Sequence, residues 1–128
     1  MRLLLDTHTL LWFALNDPQL SRTAASLIMD SANEKLVSPA SYWEIAIKIG
    51  ARKYALTRPY EIFMREAIDK NGFAYLHIEP RHTARLTTMA HHHKDPFDRL
   101  LVAQALAEGI AIVSVDAQLD AYGVTRLW

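Results

Sequence analysis

Two stretches of this chain leave little choice of architecture: Leu3-Leu4-Leu5 and Ile110 to Val115 are apolar at nearly every position. A strand built that way needs cover on both faces, the situation of a parallel sheet sandwiched between helix layers. Both runs end on an acid, Asp6 and Asp116. Parallel α/β sheets collect functional groups at the carboxyl ends of their strands, so the feature that dictates the fold also marks where chemistry would sit.

Short apolar or alternating runs bounded by turn formers, at residues 2–6, 35–38, 74–79, 111–116 and 124–128, read as five strands. Helical periodicity fills the intervals: Thr9 to Leu15, Ser21 to Ala32, Ser41 to Lys53, Pro59 to Asn71, Pro80 to His91 and Asp98 to Glu108. Asn16-Asp17-Pro18 breaks the first helix, Asn71-Gly72 ends the fourth and Glu108-Gly109 ends the sixth, giving a βα alternation with short connections. A chain of 128 residues has the size of one domain and can bury roughly two thirds of its unfolded surface, so a single α/β domain over residues 1–128 is expected. With 51% hydrophobic and 22% charged residues, disordered and fibrous classes are excluded.

The 14 basic and 14 acidic residues cancel, which denies the protein a global attraction to nucleic acid and leaves only local binding. The absence of cysteine excludes disulfides and thiolate metal sites and suits a reducing cytoplasm. Asp6 interrupts the opening leucines too early for a signal-peptide core, and no segment approaches the roughly 20 apolar residues of a membrane helix. A cytoplasmic protein without membrane contact is therefore expected.

Four carboxylates occupy strand ends or helix openings. Asp6, between Leu5 and Thr7-His8-Thr9, suits a helix N-cap as well as a ligand at a strand end. Glu44 stands three residues after Ser41, matching a capping box. Its neighbours Tyr42, Trp43, Ile45, Ala46 and Ile47 are so apolar that a lone carboxylate among them would be costly to bury without a cation or hydrogen bonds. In Asp95-Pro96-Phe97-Asp98, Asp95 reads mainly as the cap, with Pro96 at the first helical position and Asp98 as the ligand at the mouth of a core-facing helix. Asp116 repeats the strand-then-acid arrangement of Asp6, and Asp120 reads as a surface acid.

Carboxylate oxygens are the hard ligands that Mg2+ and Mn2+ prefer, and a bound cation relieves the repulsion within an acidic cluster while letting it accept a polyanion. Two such ions roughly 3.5 to 4 Å apart would activate water and stabilise charge on phosphoryl oxygens, which implies phosphodiester hydrolysis. Glu44, Lys48 and Arg52 are spaced by four and share a helix face, with Lys53 adjacent. That stripe serves either as a phosphate grip or as an ordinary ion pair, and Arg99 is a second cationic candidate. A zinc site at His91-His92-His93 is disfavoured because three consecutive residues cannot all reach one ion. These imidazoles are expected mostly in solvent at a helix end. His8 is placed to touch substrate or to hydrogen-bond a neighbour, and Trp12 and Phe13 read as core packing of an early helix.

Taken together, Leu5-Asp6-Thr7-His8, the run Trp43 to Lys48, the run Asp95 to Ala105 and Ser114-Val115-Asp116 resemble the PIN domain, specifically VapC-type toxins of bacterial toxin-antitoxin pairs. The resemblance covers nearly the whole chain, and Asp-Pro-Phe-Asp-Arg-Leu-Leu at residues 95–101 is its most telling part. It implies a three-layer PIN-like fold with a central parallel sheet of about five strands. It further implies that Asp6, Glu44, Asp98 and Asp116 bind Mg2+ or Mn2+ with Thr7 as a polar neighbour. The activity implied is that of an endoribonuclease acting as a toxin, a homodimer opposed by a VapB-like antitoxin whose C-terminal segment fills the active-site groove.

Two other functions compete. A haloacid-dehalogenase-type phosphatase also carries an aspartate after its first strand, but it requires another two residues on, where this chain has His8. A catalytically inactive PIN-like module that binds RNA or a partner would keep the fold without turnover; the complete acid set speaks against it.

Overall fold

The leucines of β1 (Arg2–Leu5) point alternately to the two faces of a sheet, and all three are fully buried. The computed structural model describes residues Met1 to Trp128 and places β1 at the centre of a five-stranded sheet of order β3-β2-β1-β4-β5. Its neighbours are β2 (Glu34–Val37), β3 (Ala74–Tyr75), β4 (Ala111–Val113) and β5 (Arg126–Leu127), and every pairing is parallel. Leu5 lies opposite Val37 on one side and Val113 on the other, so the strand ends are in register where Asp6 leaves the sheet.

Helices cover both faces, as the apolar strands require. Leu3, Leu5, Val37 and Val113 pack with Leu10 of α1 (Thr7–Ala14), Ile28 of α2 (Arg22–Met29), Ile45 of α3 (Pro39–Gly50) and Phe63 of α4 (Tyr60–Met64). Leu4, Leu36 and Ile112 pack on the opposite face with Leu101, Val102 and Ala105 of α6 (Pro96–Glu108). Against α6 lies the short α5 (Pro80–Leu86). Each such leucine contributes about 1.5–3 kcal/mol by leaving water. From β1 the chain steps outward through β2 and β3, then returns to the other side of β1 for β4 and β5. Strand order reverses at β1, and a crevice at the carboxyl ends of β1 and β4 is the switch point where α/β folds bind ligands.

Several elements are shorter than their sequence patterns, each for a local reason. The helix over residues 41–53 instead begins after Ser38, whose side chain caps it, and stops at Gly50. Arg52 then adopts a left-handed φ of 60°, which removes it from the face shared by Glu44 and Lys48. The segment 59–71 is helical, but Arg65–Asp69 widens into a π turn. The helix from Pro80 ends at Leu86 rather than His91, where the Thr87 hydroxyl turns back onto the Ala84 carbonyl. The carbonyls of Met89 and Ala90 are then satisfied by the Arg99 guanidinium, at 3.3 and 2.6 Å. Strand β3 stops at Tyr75, short of residue 79. Phe13 packs on the core edge against Phe73, and Trp12 is half-buried between His8 and Trp128. No helix is long and apolar enough to cross a membrane.

Candidate active site

Asp6 follows the last residue of β1 and caps α1, accepting the Thr9 backbone N–H at 2.8 Å. Capping and site placement are one fact, since the helix starts where the strand delivers the acid. Burial pushes the Asp6 carboxyl above its usual range, against hydrogen bonds from Ser114 and Thr9 and the nearby His8. Asp116 stands three residues beyond the end of β4 and caps a 3-10 turn, Ala117–Tyr122, by accepting the Gln118 N–H at 3.0 Å. Its own N–H donates to the Ser114 hydroxyl oxygen at 3.0 Å. Fully buried Ser114 thereby ties the acids of two neighbouring strands together.

Glu44 is buried in α3, and the capping box suggested by Ser41 is not what holds it. The cap is Ser38, while Ser41 lies inside the helix with its hydroxyl 3.2 Å from that of Thr7. The Thr7 hydroxyl donates to Glu44 Oε1 at 2.6 Å, and Lys48 Nζ donates to Oε2 at 2.7 Å. Both oxygens of this buried carboxylate are satisfied, which answers the desolvation problem its apolar neighbours posed. Lys48 is correspondingly held protonated: its partial burial works against the charge, but the bond to Glu44 prevails.

Asp98 lies in the first turn of α6, whose cap is Asp95, the acceptor of the Phe97 and Asp98 N–H groups. Its carboxyl is pushed up to about 7, first by burial and then by the negative charges of Asp95, Glu44 and Asp6. That shift records convergence: acids scattered along the sequence repel one another across one crevice. Ligand atoms of Asp98, Asp116 and His93 all lie within 4.8 Å of one another.

Three expected cations behave differently from one another. Lys48 is in the site, but paired with Glu44. Arg99 is buried, with its guanidinium engaged by the carbonyls of Met89 and Ala90, and Arg52 lies beyond α3. Exposed His8 sits 3.4 Å from the Tyr54 hydroxyl and beside the Trp12 ring.

His93 departs from the expectation of solvent-facing imidazoles, because its side chain is only 8% exposed and its Nε2 lies 2.8 Å from Asp116 Oδ2. The sequence offered three adjacent histidines and no periodicity to choose among them. The roles of Ser41 beside Thr7 and of Ser114 beneath Asp116 were likewise hidden, since the sequence offered Ser41 only as a cap and Ser114 only as the neighbour of Asp116.

Neither Asp6 nor Asp98 has a salt-bridge partner, so protein cations leave the cluster short of positive charge. Hard oxygen donors, a carboxyl raised to about 7 by burial and then by the negative charges around it, and the lack of thiolates fit a divalent cation of the Mg2+ or Mn2+ type.

Comparison with solved structures finds the same architecture over nearly the full length. The chain is similar to VapBC2 from Rickettsia felis bound to a DNA fragment from their promoter, with a TM-score of 0.70, 13% identity and coverage of 99% of this chain and 98% of that one. It is also similar to VapBC-1 from nontypeable Haemophilus influenzae, at TM-score 0.69, 14% identity and 99% and 97% coverage. FitAcB from Neisseria gonorrhoeae gives TM-score 0.62, 13% identity and 98% and 96% coverage. At such identities the likeness concerns the fold. A comparison with curated protein sequences finds no match. The PIN domain family model matches residues 3–124, spanning all four acids, and the chain belongs to the PIN domain family.

Proposed function

We propose that this protein is a divalent-metal-dependent endoribonuclease and the toxin of a toxin-antitoxin pair. The observation that carries the reading is the gathering of Asp6, Glu44, Asp98 and Asp116 at the sheet's switch point, with Asp98 raised to about 7 first by burial and then by its acidic neighbours. In the PIN family such a cluster serves nuclease chemistry, and the VapBC and FitAcB neighbours support a toxin that meets an antitoxin of the VapB kind. A homodimer acting in the cytoplasm completes the proposal.

Asp6, Asp98 and Asp116 would hold Mg2+ or Mn2+, with Glu44 completing the acid set. Such an ion would supply Lewis acidity for phosphodiester hydrolysis. Thr7 and Lys48 hold the two carboxylate oxygens of Glu44 in place. Arg99, through its bonds to Met89 and Ala90, shapes the loop that closes the site on the α6 side. Beside Asp116, a cavity of about 560 Å3 lined by His91, His92, His93, Lys94, Pro96 and Arg99 contains no apolar side chain other than the proline ring, a surface suited to an RNA backbone. Arg52 and Lys53 extend positive charge past the end of α3.

Purified protein incubated with total RNA and Mg2+ or Mn2+ should cleave it, and EDTA should stop cleavage. Sequencing RNA 5′ ends after induced expression would identify the target. Cleavage undiminished in both Asp6→Asn and Asp98→Asn would defeat the assignment.

A further inference from the structure

The loop between α5 and α6 carries a hydrogen-bond chain that ends on one of the candidate ligands. The backbone N–H of His92 points at the Tyr122 hydroxyl, 3.1 Å away. An amide N–H only donates, so the hydroxyl oxygen accepts there and has its own proton available for His93 Nδ1 at 3.2 Å. With Nδ1 accepting, a neutral His93 bears its proton on Nε2, which faces Asp116 Oδ2 at 2.8 Å. The Tyr122 ring lies edge-on to His92 at 4.8 Å and 5.5 Å from His93, leaving the nearly buried imidazole little freedom to turn.

We propose that His93, fixed by Tyr122 in its Nε2–H form, is a positioning residue that orients Asp116 for the divalent cation. The proposal rests on the metal-dependent reading of the same site. Asp116 needs such support, for it stands on a short 3-10 turn after a three-residue strand and its side chain is 36% exposed. Gln118 holds Oδ1 through its N–H, and His93 holds Oδ2, so the carboxylate plane is set from both ends. Partners of this kind behind a ligating carboxylate typically govern metal affinity by about 10–100-fold.

The test is Mn2+ binding to the purified protein, followed by electron paramagnetic resonance, with RNA cleavage as a second readout. His93→Asn, whose amide falls short of the Nε2 position, should weaken Mn2+ binding by about 10–100-fold. His93→Gln, whose amide reaches that position, should restore it to within a few-fold of wild type, and Tyr122→Phe should fall between. Thermal melting in EDTA identifies any variant that fails to fold; if His93→Asn fails, Tyr122→Phe decides, and a wild-type affinity there overturns the proposal. Wild-type Mn2+ affinity in His93→Asn, or Gln no better than Asn, also overturns it while leaving the nuclease reading intact. A wild-type protein that binds no Mn2+ and cleaves no RNA removes both.

Discussion

The protein holds two clusters of acids with a histidine, one at each end of its central strand, and they are in opposite electrostatic states. At the carboxyl end of β1 stand Asp6, Glu44, Asp98, Asp116 and His93. At its start, Arg2 reaches Glu108, the last residue of α6, which also meets Arg81 and His82. Glu79, His82 and Glu108 bring ligand atoms as close together as do His93, Asp98 and Asp116. Proximity alone therefore does not distinguish a site from a structural junction.

Charge compensation does. Burial works to raise the Glu108 carboxyl, but the His82 bond and the Arg81 guanidinium outweigh it and hold it below its ordinary value. Asp98 has no such donors and is pushed to about 7. The Glu108 cluster is complete as it stands; the Asp98 cluster carries unmet negative charge, a condition that favours binding a cation.

The largest expected contrast is in activity. Asp98→Asn should lower RNA cleavage by about a hundredfold or more, the scale of losing one preorganised electrostatic group, while Glu108→Gln keeps cleavage within a few-fold of wild type. Equal losses in a time course on total RNA would erase the distinction between the clusters. Next comes metal linkage. Mg2+ or Mn2+ at a hundredfold excess over its dissociation constant should stabilise the wild type by about 2.7 kcal/mol, a rise of several degrees in melting temperature that EDTA reverses. Glu108→Gln should show the same rise and Asp98→Asn a much smaller one.

Folding stability should show the reverse ranking of the two acids. Glu108→Gln weakens bonds from three basic groups at a nearly buried carboxylate, and denaturant titration should find it destabilised by about 2 kcal/mol. Because the folded Glu108 value is depressed, its contribution is present above its ordinary pKa of 4.5 and disappears as pH falls through the folded value.

The smallest effect has the opposite sign. Native Asp98 holds a proton that the unfolded chain releases, so in metal-free protein its contribution falls as pH rises from about 3.8 to about 7 and levels off above. Asp98→Asn should thus stabilise the metal-free protein by up to about 1 kcal/mol at pH 8, and by little near pH 4, in paired denaturation curves.

Local pattern carried the fold a long way. The leucines of β1 announced a two-sided strand because continuous apolarity has no other soluble home, and Asp95-Pro96 announced the start of α6 through capping chemistry. Asp6, Asp98 and Asp116 were legible as candidates because strand ends and helix or turn starts are positions that punctuation marks, whereas Glu44, inside α3, was marked only by its apolar neighbours. Helix ends were less legible, since whether residues 87–91 continue a helix depends on Arg99, a distant side chain competing for their carbonyls.

The sequence by itself determined the layered parallel architecture and the acids available to it, because both follow from the chemistry of neighbouring residues. Only the tertiary structure decided that Thr7 and Lys48 would hold Glu44, that His93 alone of three histidines would reach Asp116, and that Arg99 would turn to backbone carbonyls. Charge balance at a point in space depends on which side chains arrive there, and partners 23 to 37 residues apart, as His93–Asp116 and Thr7–Glu44 are, leave no periodic trace along the chain.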